Sequence, residues 1–221
     1  EIGKKVMIFS LEMANTQLGE RLLSMTSSVP LENIHKGTIS MEEWEDLSAA
    51  QDSFYGYDMV IDESSVITPV EMKNKCRRFK QEKGDLDLVV IDYLQLINGS
   101  DRYKGNRVQE VTEISRSLKT LARELEVPVI ALAQLSRSLK DRDDPRPQLT
   151  DLRESGSIEQ DADLVMFVHR TDYYHLNDPD YQFTNIAEII LSKHRHGAQG
   201  TVELYFDNKR TRFLSLDKEH Q

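Results

Sequence analysis

Apolar positions along the chain fall into short continuous runs separated by stripes at helical spacing. Val6, Met7, Ile8 and Phe9 make a run of strand length built from β-forming side chains. Leu18, Leu22, Leu23 and Met25 then recur at the spacing of one helix face. Ser40 and Glu43 stand at capping-box distance ahead of Trp44, Leu47, Ala50 and Phe54, which predicts a second helix. Met59, Val60 and Ile61 predict another strand. Thr68-Pro69-Val70-Glu71 predicts a helix start, with Pro in the first turn and Glu three residues past the cap. The strongest strand is Leu88-Val89-Val90-Ile91, which lacks polar alternation and is expected to be buried on both faces. A polar stretch over 98–106 with two glycines follows. Then comes a long helix with Val108, Val111, Ile114, Leu118, Leu121, Ala122 and Leu125 on one stripe. Continuous apolar strands are predicted over 128–135, 164–168 and 186–191, and a charged, Pro-containing loop over 136–150. Residues 201–206 and 212–216 read as an antiparallel pair turning at Asp207-Asn208. The expected fold is α/β: a mostly parallel sheet with flanking helices and an antiparallel edge hairpin, forming one domain over residues 1–221.

Composition narrows this picture. With 38% hydrophobic and 30% charged residues, the chain has the balance of a folded globular protein rather than a disordered one. No apolar run approaches the ~18 residues of a spanning helix. The single Cys76 excludes a disulfide framework and a cysteine-based zinc site, and fits a reducing compartment. The net charge of −10 argues against a surface coated by nucleic acid but leaves room for one basic channel. The charge is unevenly spread. Residues 42–63 hold eight acids and no base, a face that would repel a polyanion, whereas residues 73–83 hold six bases and one acid. The chain opens at Glu1 with the first strand run almost immediately behind it, as expected of a chain that starts inside a domain.

In parallel α/β sheets, ligands sit at the carboxyl ends of strands. There the sequence places Glu12 (in Ser10-Leu11-Glu12-Met13), Asp92 and Gln134. Four apolar residues ending in Asp92 form the Walker B pattern, in which a buried strand holds a carboxylate near the Mg²⁺ of a nucleoside triphosphate. Taken singly, Glu12 also reads as an acid at a helix start and Gln134 as a satisfied loop amide. A phosphate loop G-x-x-x-x-G-K-[ST] does not occur in the chain, nor does G-x-G-x-x-G. The βα unit that carries such a loop needs about 30 residues ahead of Val6. Basic residues in loops are Arg102, Lys104 and Arg107, then Arg153 within Asp151-Leu152-Arg153-Glu154-Ser155-Gly156-Ser157, where backbone N–H groups could meet a phosphate. Lys193-His194-Arg195-His196-Gly197 reads as a charged turn or a basic site. Its two histidines lack a third ligand for a metal.

These strings together resemble one family. SLEM over 10–13, LVVIDYLQL over 88–96, VIALAQLSR over 129–137 and LTDLRESGSIEQDADL over 149–164 are similar, in order, to the motifs of DnaB-type replicative DNA helicases. KHRHG over 193–197, followed by GTVEL over 200–204, resembles the family's closing motif. The resemblance covers nearly the whole chain. Generic RecA-like ATPases share only the strand-then-Asp element. The resemblance implies a RecA-like P-loop NTPase fold, here without its Walker A strand, loop and helix. It also implies ATP and Mg²⁺ as cofactors and a homohexameric ring around single-stranded DNA, translocating 5′→3′. In it Glu12 polarises the attacking water, Asp92 holds Mg²⁺ through water and Gln134 senses the γ-phosphate. Arg195 is the arginine finger and Lys193 its companion, both reaching a neighbouring subunit. Arg153, Glu154 and Gly156, with the loop bearing Arg102, Lys104 and Arg107, line the DNA channel. Primase and a helicase loader are the family's partners, the bacterial cytoplasm its compartment, with no membrane. Without the phosphate loop the chain alone is expected to hold ATP poorly. The alternative is a DNA-binding or scaffold paralogue that has lost hydrolysis; a RecA-like recombination ATPase is disfavoured by the 149–164 run.

Overall fold

The computed structural model describes residues 3–103, 105–136, 139, 142 and 144–216, without the side chains of Asp101, Arg153, Glu154 and Ser155. The chain divides into two compact units. One comes from Glu1–Leu18, Ser53–Ser136 and Leu152–Ala162, the other from Gly19–Asp52, Arg137–Asp151 and Asp163–Gln221, in each case as far as the residues are described.

The first unit is built on a parallel sheet of β1 (Lys5–Ser10), β2 (Asp58–Asp62), β3 (Leu88–Asp92) and β4 (Val129–Ala131), ordered β2-β1-β3-β4. Between β2 and β3 runs α4 (Pro69–Lys83), which follows α1 (Asn15–Thr26), α2 (Leu31–Lys36) and α3 (Met41–Phe54) in the chain. Thr68 closes the expected capping box with Glu71, and Gly84 ends α4 in the left-handed region at φ 86°. After β3 comes α5 (Arg107–Leu125), whose first turn is capped by the Asn106 side chain accepting from Gln109 N–H at 3.2 Å. The core packs Phe9, Val89 and Ile91 of the strands against Met72, Cys76 and Phe79 of α4 and Val111, Ile114 and Leu121 of α5. Burial, and then the nearby Asp62 carboxylate, push the Cys76 thiol up to about 12, so it serves as a small apolar residue. A short α6 (Gly156–Asp161) lies on α5, tied by Ser115 Oγ donating to Asp161 at 2.7 Å.

The second unit is an antiparallel sheet of β5 (Leu164–His169), β6 (Ile186–His194), β7 (Gly200–Asp207) and β8 (Arg212–Ser215), in that order. The antiparallel part thus extends beyond the β7–β8 hairpin to four strands. Asp207 shapes that hairpin by accepting from Lys209 and Arg210 N–H groups at 3.1 and 3.3 Å. α3 starts at the Ser40–Glu43 capping box, with reciprocal bonds of 2.8 and 3.2 Å.

Three expectations are corrected here. The 128–135 strand is only three residues long, and Ile130 within it and Leu132 just after it are more than 40% exposed, their face of the sheet being open; β4 is also an edge. β5, also an edge, buries alternate residues and leaves Leu164, Met166 and Val168 open. Val108 at the start of the α5 stripe is exposed. The 136–150 loop lies partly outside the described residues.

One buried charge organises the β5–β6 connection. Asp172, 1% exposed, accepts hydrogen bonds from Tyr181 Oη (2.9 Å), Thr184 N and Oγ1 (both 3.1 Å) and Asn185 N (2.7 Å). Burial alone would push its carboxyl up. The Thr184 backbone bond and the three others outweigh it and hold the carboxyl below the usual range. Asp172→Ala strands two backbone N–H groups, and is expected to cost about 2–4 kcal/mol. Urea unfolding at pH 7 and at acid pH checks this. A carboxyl depressed in the folded state stabilises above the ordinary aspartate range, and that stabilisation is lost as pH falls through the depressed value. The deficit should therefore shrink on acidification; a constant deficit would contradict the charged network.

Candidate functional site

Parallel pairing fixes where the first unit's polar residues gather. β1 and β3 pair with Ser10 opposite Asp92, and β3 and β4 with Ile91 opposite Ala131. Glu12, Asp92 and Gln134 therefore follow three adjacent strands at one carboxyl edge. The turn bearing Glu12 is held at both ends: Leu11 N–H donates to the Asp92 carbonyl at 2.8 Å, and buried Ser10 donates through Oγ to the Met13 carbonyl at 2.6 Å. The Glu12 side chain is exposed and that of Asp92 half-buried. Burial, then the negative charge of Glu12, raises the Asp92 carboxyl above its usual value. An acidic pair that is electrostatically uncomfortable by itself suits a cation nearby. Among the described residues, no group of three or more His, Cys, Asp and Glu could hold a metal ion.

Gln134 is exposed, but its backbone is clamped by a residue that sequence reasoning passes over. Gln95 Oε1 accepts from Gln134 N–H at 3.1 Å, and Gln95 Nε2 donates to the Gln134 carbonyl at 3.0 Å. Gln95 sits in the quoted 88–96 string; nothing in a single sequence marks it, since its partner lies 39 residues away.

The basic residues separate into distinct environments. On α4, Lys73 and Arg77 pair with Glu124, Lys75 with Asp62, Arg78 with Glu82, Lys80 with Asp85 and Lys83 with Asp58. The basic run is thus a self-neutralised face. In the loop after β3, exposed Arg102 lies 5.3 Å from the Tyr103 ring, and Arg107 donates to Glu110 at 2.5 Å and to the Gln95 carbonyl. Lys104 and the side chains of Arg153 and Glu154 lie outside the described residues; Gly156 begins α6 with open space where a Cβ would stand.

Lys193 and Arg195 belong to the second unit. β6 carries a bulge there: Val165 faces Lys193 while Met166 faces Leu191, so Ser192 is extra. Arg195 Nη1 meets Asp163 at 2.8 Å, both half-exposed, and its N–H donates to the Asp163 carbonyl at 2.9 Å. The turn is tight. A Cβ on Gly197 would lie 2.3 Å from the His194 ring, whose Nδ1 is 3.1 Å from the Ala198 carbonyl.

A parallel sheet with two carboxylates and an amide at its carboxyl edge, in one chain with an antiparallel sheet whose β6–β7 turn is basic, is the arrangement of a RecA-like ATPase domain. The family model of the DnaB-like helicase C-terminal domain matches residues 1–215, and the chain belongs to that family. It is 51% identical over 216 residues to the replicative DNA helicase DnaB of Geobacillus stearothermophilus, covering 98% of this chain and 47% of that protein. It is 49% identical over 215 residues to the replicative DNA helicase DnaC of Bacillus subtilis (strain 168), covering 97% and 46%. The chain thus spans about half the length of these relatives. Among solved structures, one described as an ATPase domain superposes with a TM-score of 0.89 at 37% identity, covering 97% of this chain and 75% of that one. A DnaB-like replicative helicase described with its primase interactions gives the same score and identity, covering 97% and 51%.

Proposed function

We propose that this chain is the motor portion of a replicative DNA helicase, one ATPase domain of a homohexameric ring that moves 5′→3′ on single-stranded DNA. The observation that supports the reading is the parallel register of β1, β3 and β4, whose carboxyl ends lead into Glu12, Asp92 and Gln134. Glu12, exposed on a turn pinned at both ends, takes the proton of the attacking water. Asp92 holds Mg²⁺ through water, and Mg²⁺ when bound offsets charge on the phosphates. Gln134 meets the γ-phosphate. Arg195 and Lys193 reach the ATP of a neighbouring subunit. Arg153, Glu154 and Gly156, with the loop of Arg102, Lys104 and Arg107, face DNA. Primase and a helicase loader are the partners, and the cytoplasm the compartment; no helix among the described residues is long and apolar enough to cross a membrane.

The reading includes a phosphate loop supplied by a segment outside these 221 residues. The test is ATP binding and hydrolysis, with and without single-stranded DNA, by this chain and by a longer one carrying G-x-x-x-x-G-K-[ST]. We expect negligible turnover from the first and DNA-stimulated turnover from the second. Turnover by the short chain that Glu12→Gln abolishes would overturn the need for the loop. Silence from the long chain would mark a paralogue that binds without hydrolysis.

A further inference from the structure

We infer that Gln95, Arg107 and Glu110 form a positioning relay that couples Gln134, after β4, to the loop beginning at Gly99. The inference rests on the proposed roles of Gln134 at the nucleotide and of residues 98–106 at DNA.

The relay is continuous. Gln95 grips both the N–H and the carbonyl of Gln134, as a neighbouring strand would, so a shift of the backbone after β4 must move Gln95 or break two bonds. The carbonyl of Gln95 accepts from Arg107 Nη2. Arg107 Nη1 donates to Glu110 Oε2 at 2.5 Å, and Glu110 Oε1 accepts from the Gly99 N–H at 3.2 Å. One helical turn on, Glu113 accepts from Ser100 N at 3.0 Å and from its hydroxyl at 2.8 Å. The Ser100 backbone bond and then its hydroxyl hold the Glu113 carboxyl below the usual range, so it stays an acceptor at neutral pH.

The fit at Gly99 is close. A Cβ there would lie 2.4 Å from Glu110 Cγ, near the root of that side chain, so any larger residue displaces Glu110. Arg107, which the family resemblance places at DNA, has two guanidinium nitrogens engaged within the relay. Glu113 anchors the loop but does not touch Arg107 or Gln95 among the described bonds. Gln95→Ala cuts the relay at Gln134 and keeps the carbonyl that Arg107 meets, whereas Arg107→Ala cuts it on the side of the loop, and neither touches Glu113 among the described bonds.

Two measurements decide the matter. In this 221-residue chain, hydrogen exchange at the Gly99 amide should quicken about tenfold in Arg107→Ala, although the described bonds of Arg107 go to Gln95 and Glu110 and not to Gly99. In the longer, DNA-stimulated protein, Gln95→Ala and Glu110→Ala should each lose about tenfold of the stimulation by single-stranded DNA, and Glu110→Ala should keep basal hydrolysis within about twofold. The double variant should lose no more than either single one. Glu110→Gln, whose NH2 would confront either the Gly99 N–H or the Arg107 guanidinium, should restore little of it, and Gly99→Ala should reproduce the loss. Unchanged Gly99 exchange in Arg107→Ala overturns the relay, as do additive losses or undiminished stimulation. Failure of the helicase reading shows differently, as hydrolysis that survives Glu12→Gln, and leaves the exchange result standing.

Discussion

Arg195→Ala is expected to reduce ATP turnover of the assembled protein about 10³-fold or more while changing stability very little. The two effects separate because of where Arg195 is held. Its partner Asp163 is half-exposed, like Arg195 itself, and an ion pair in that setting contributes roughly 0–1 kcal/mol. The backbone bond to the Asp163 carbonyl does not depend on the side chain, and Gly197 against the His194 ring keeps the turn's shape. A guanidinium paired with a half-exposed carboxylate can exchange one oxyanion for another, the carboxylate for a phosphate whose charge grows in the transition state. Arg195→Lys should restore little, because an ammonium lacks the planar fork that meets two phosphate oxygens. Phosphate release measures turnover, and the thermal midpoint should move by no more than about 2 °C. Mixing Arg195→Ala with Glu12→Gln subunits adds a sharper arm. A finger acting across an interface lets some wild-type sites form in mixed rings, so partial activity should return. Full activity in Arg195→Ala, or a collapse of stability matching the lost turnover, would remove the finger assignment.

What the sequence alone shows of this fold follows the range of the interactions involved. The strand over 88–91 and the capping boxes at Ser40 and Thr68 are local patterns, and each appears where expected. The short α2 escapes a reading by periodicity, although Pro30 just before it and Gly37 just after, at φ 66°, are start and stop signals. Apolar runs reveal that β4 and β5 exist but not that both are edges, since exposure depends on neighbours many residues away. The same holds for charge. The basic run on α4 looks like a candidate surface in the sequence, yet its counter-ions Asp58, Asp62 and Glu124 come from other elements. In the candidate site, Glu12, Asp92 and Gln134 are legible because each closely follows a strand. Gln95 is not, because a side-chain clamp on backbone 39 residues away leaves no periodic trace. Asp172 likewise looks like any loop aspartate until four donors close around it.

Glu12→Gln is expected to lower hydrolysis about 10²–10⁴-fold and, unusually for a loss of function, to stabilise the domain. Turnover falls because glutamine has no basic oxygen with which to take the proton of water, while its size leaves the Ser10–Met13 turn undisturbed. Stability rises because of Asp92, whose carboxyl is raised first by burial and then by the charge of Glu12. A carboxyl raised in the folded state binds its proton more tightly there than in the unfolded chain. Stability is therefore lost as pH climbs from the ordinary aspartate range through the raised value. Removing the charge of Glu12 takes away part of that loss, and does so only where Asp92 ionises. The thermal midpoint of Glu12→Gln, measured without nucleotide or Mg²⁺, should exceed the wild-type value by about 1–2 °C near pH 7.5 and converge on it near pH 4. Mg²⁺ should narrow the gap at pH 7.5 by raising the wild-type midpoint, provided Asp92 and Glu12 together face the cation. A lower midpoint for Glu12→Gln at neutral pH would mean that Glu12 is held by favourable contacts, and the pair would then be a structural feature of the sheet edge rather than a site poised for ATP.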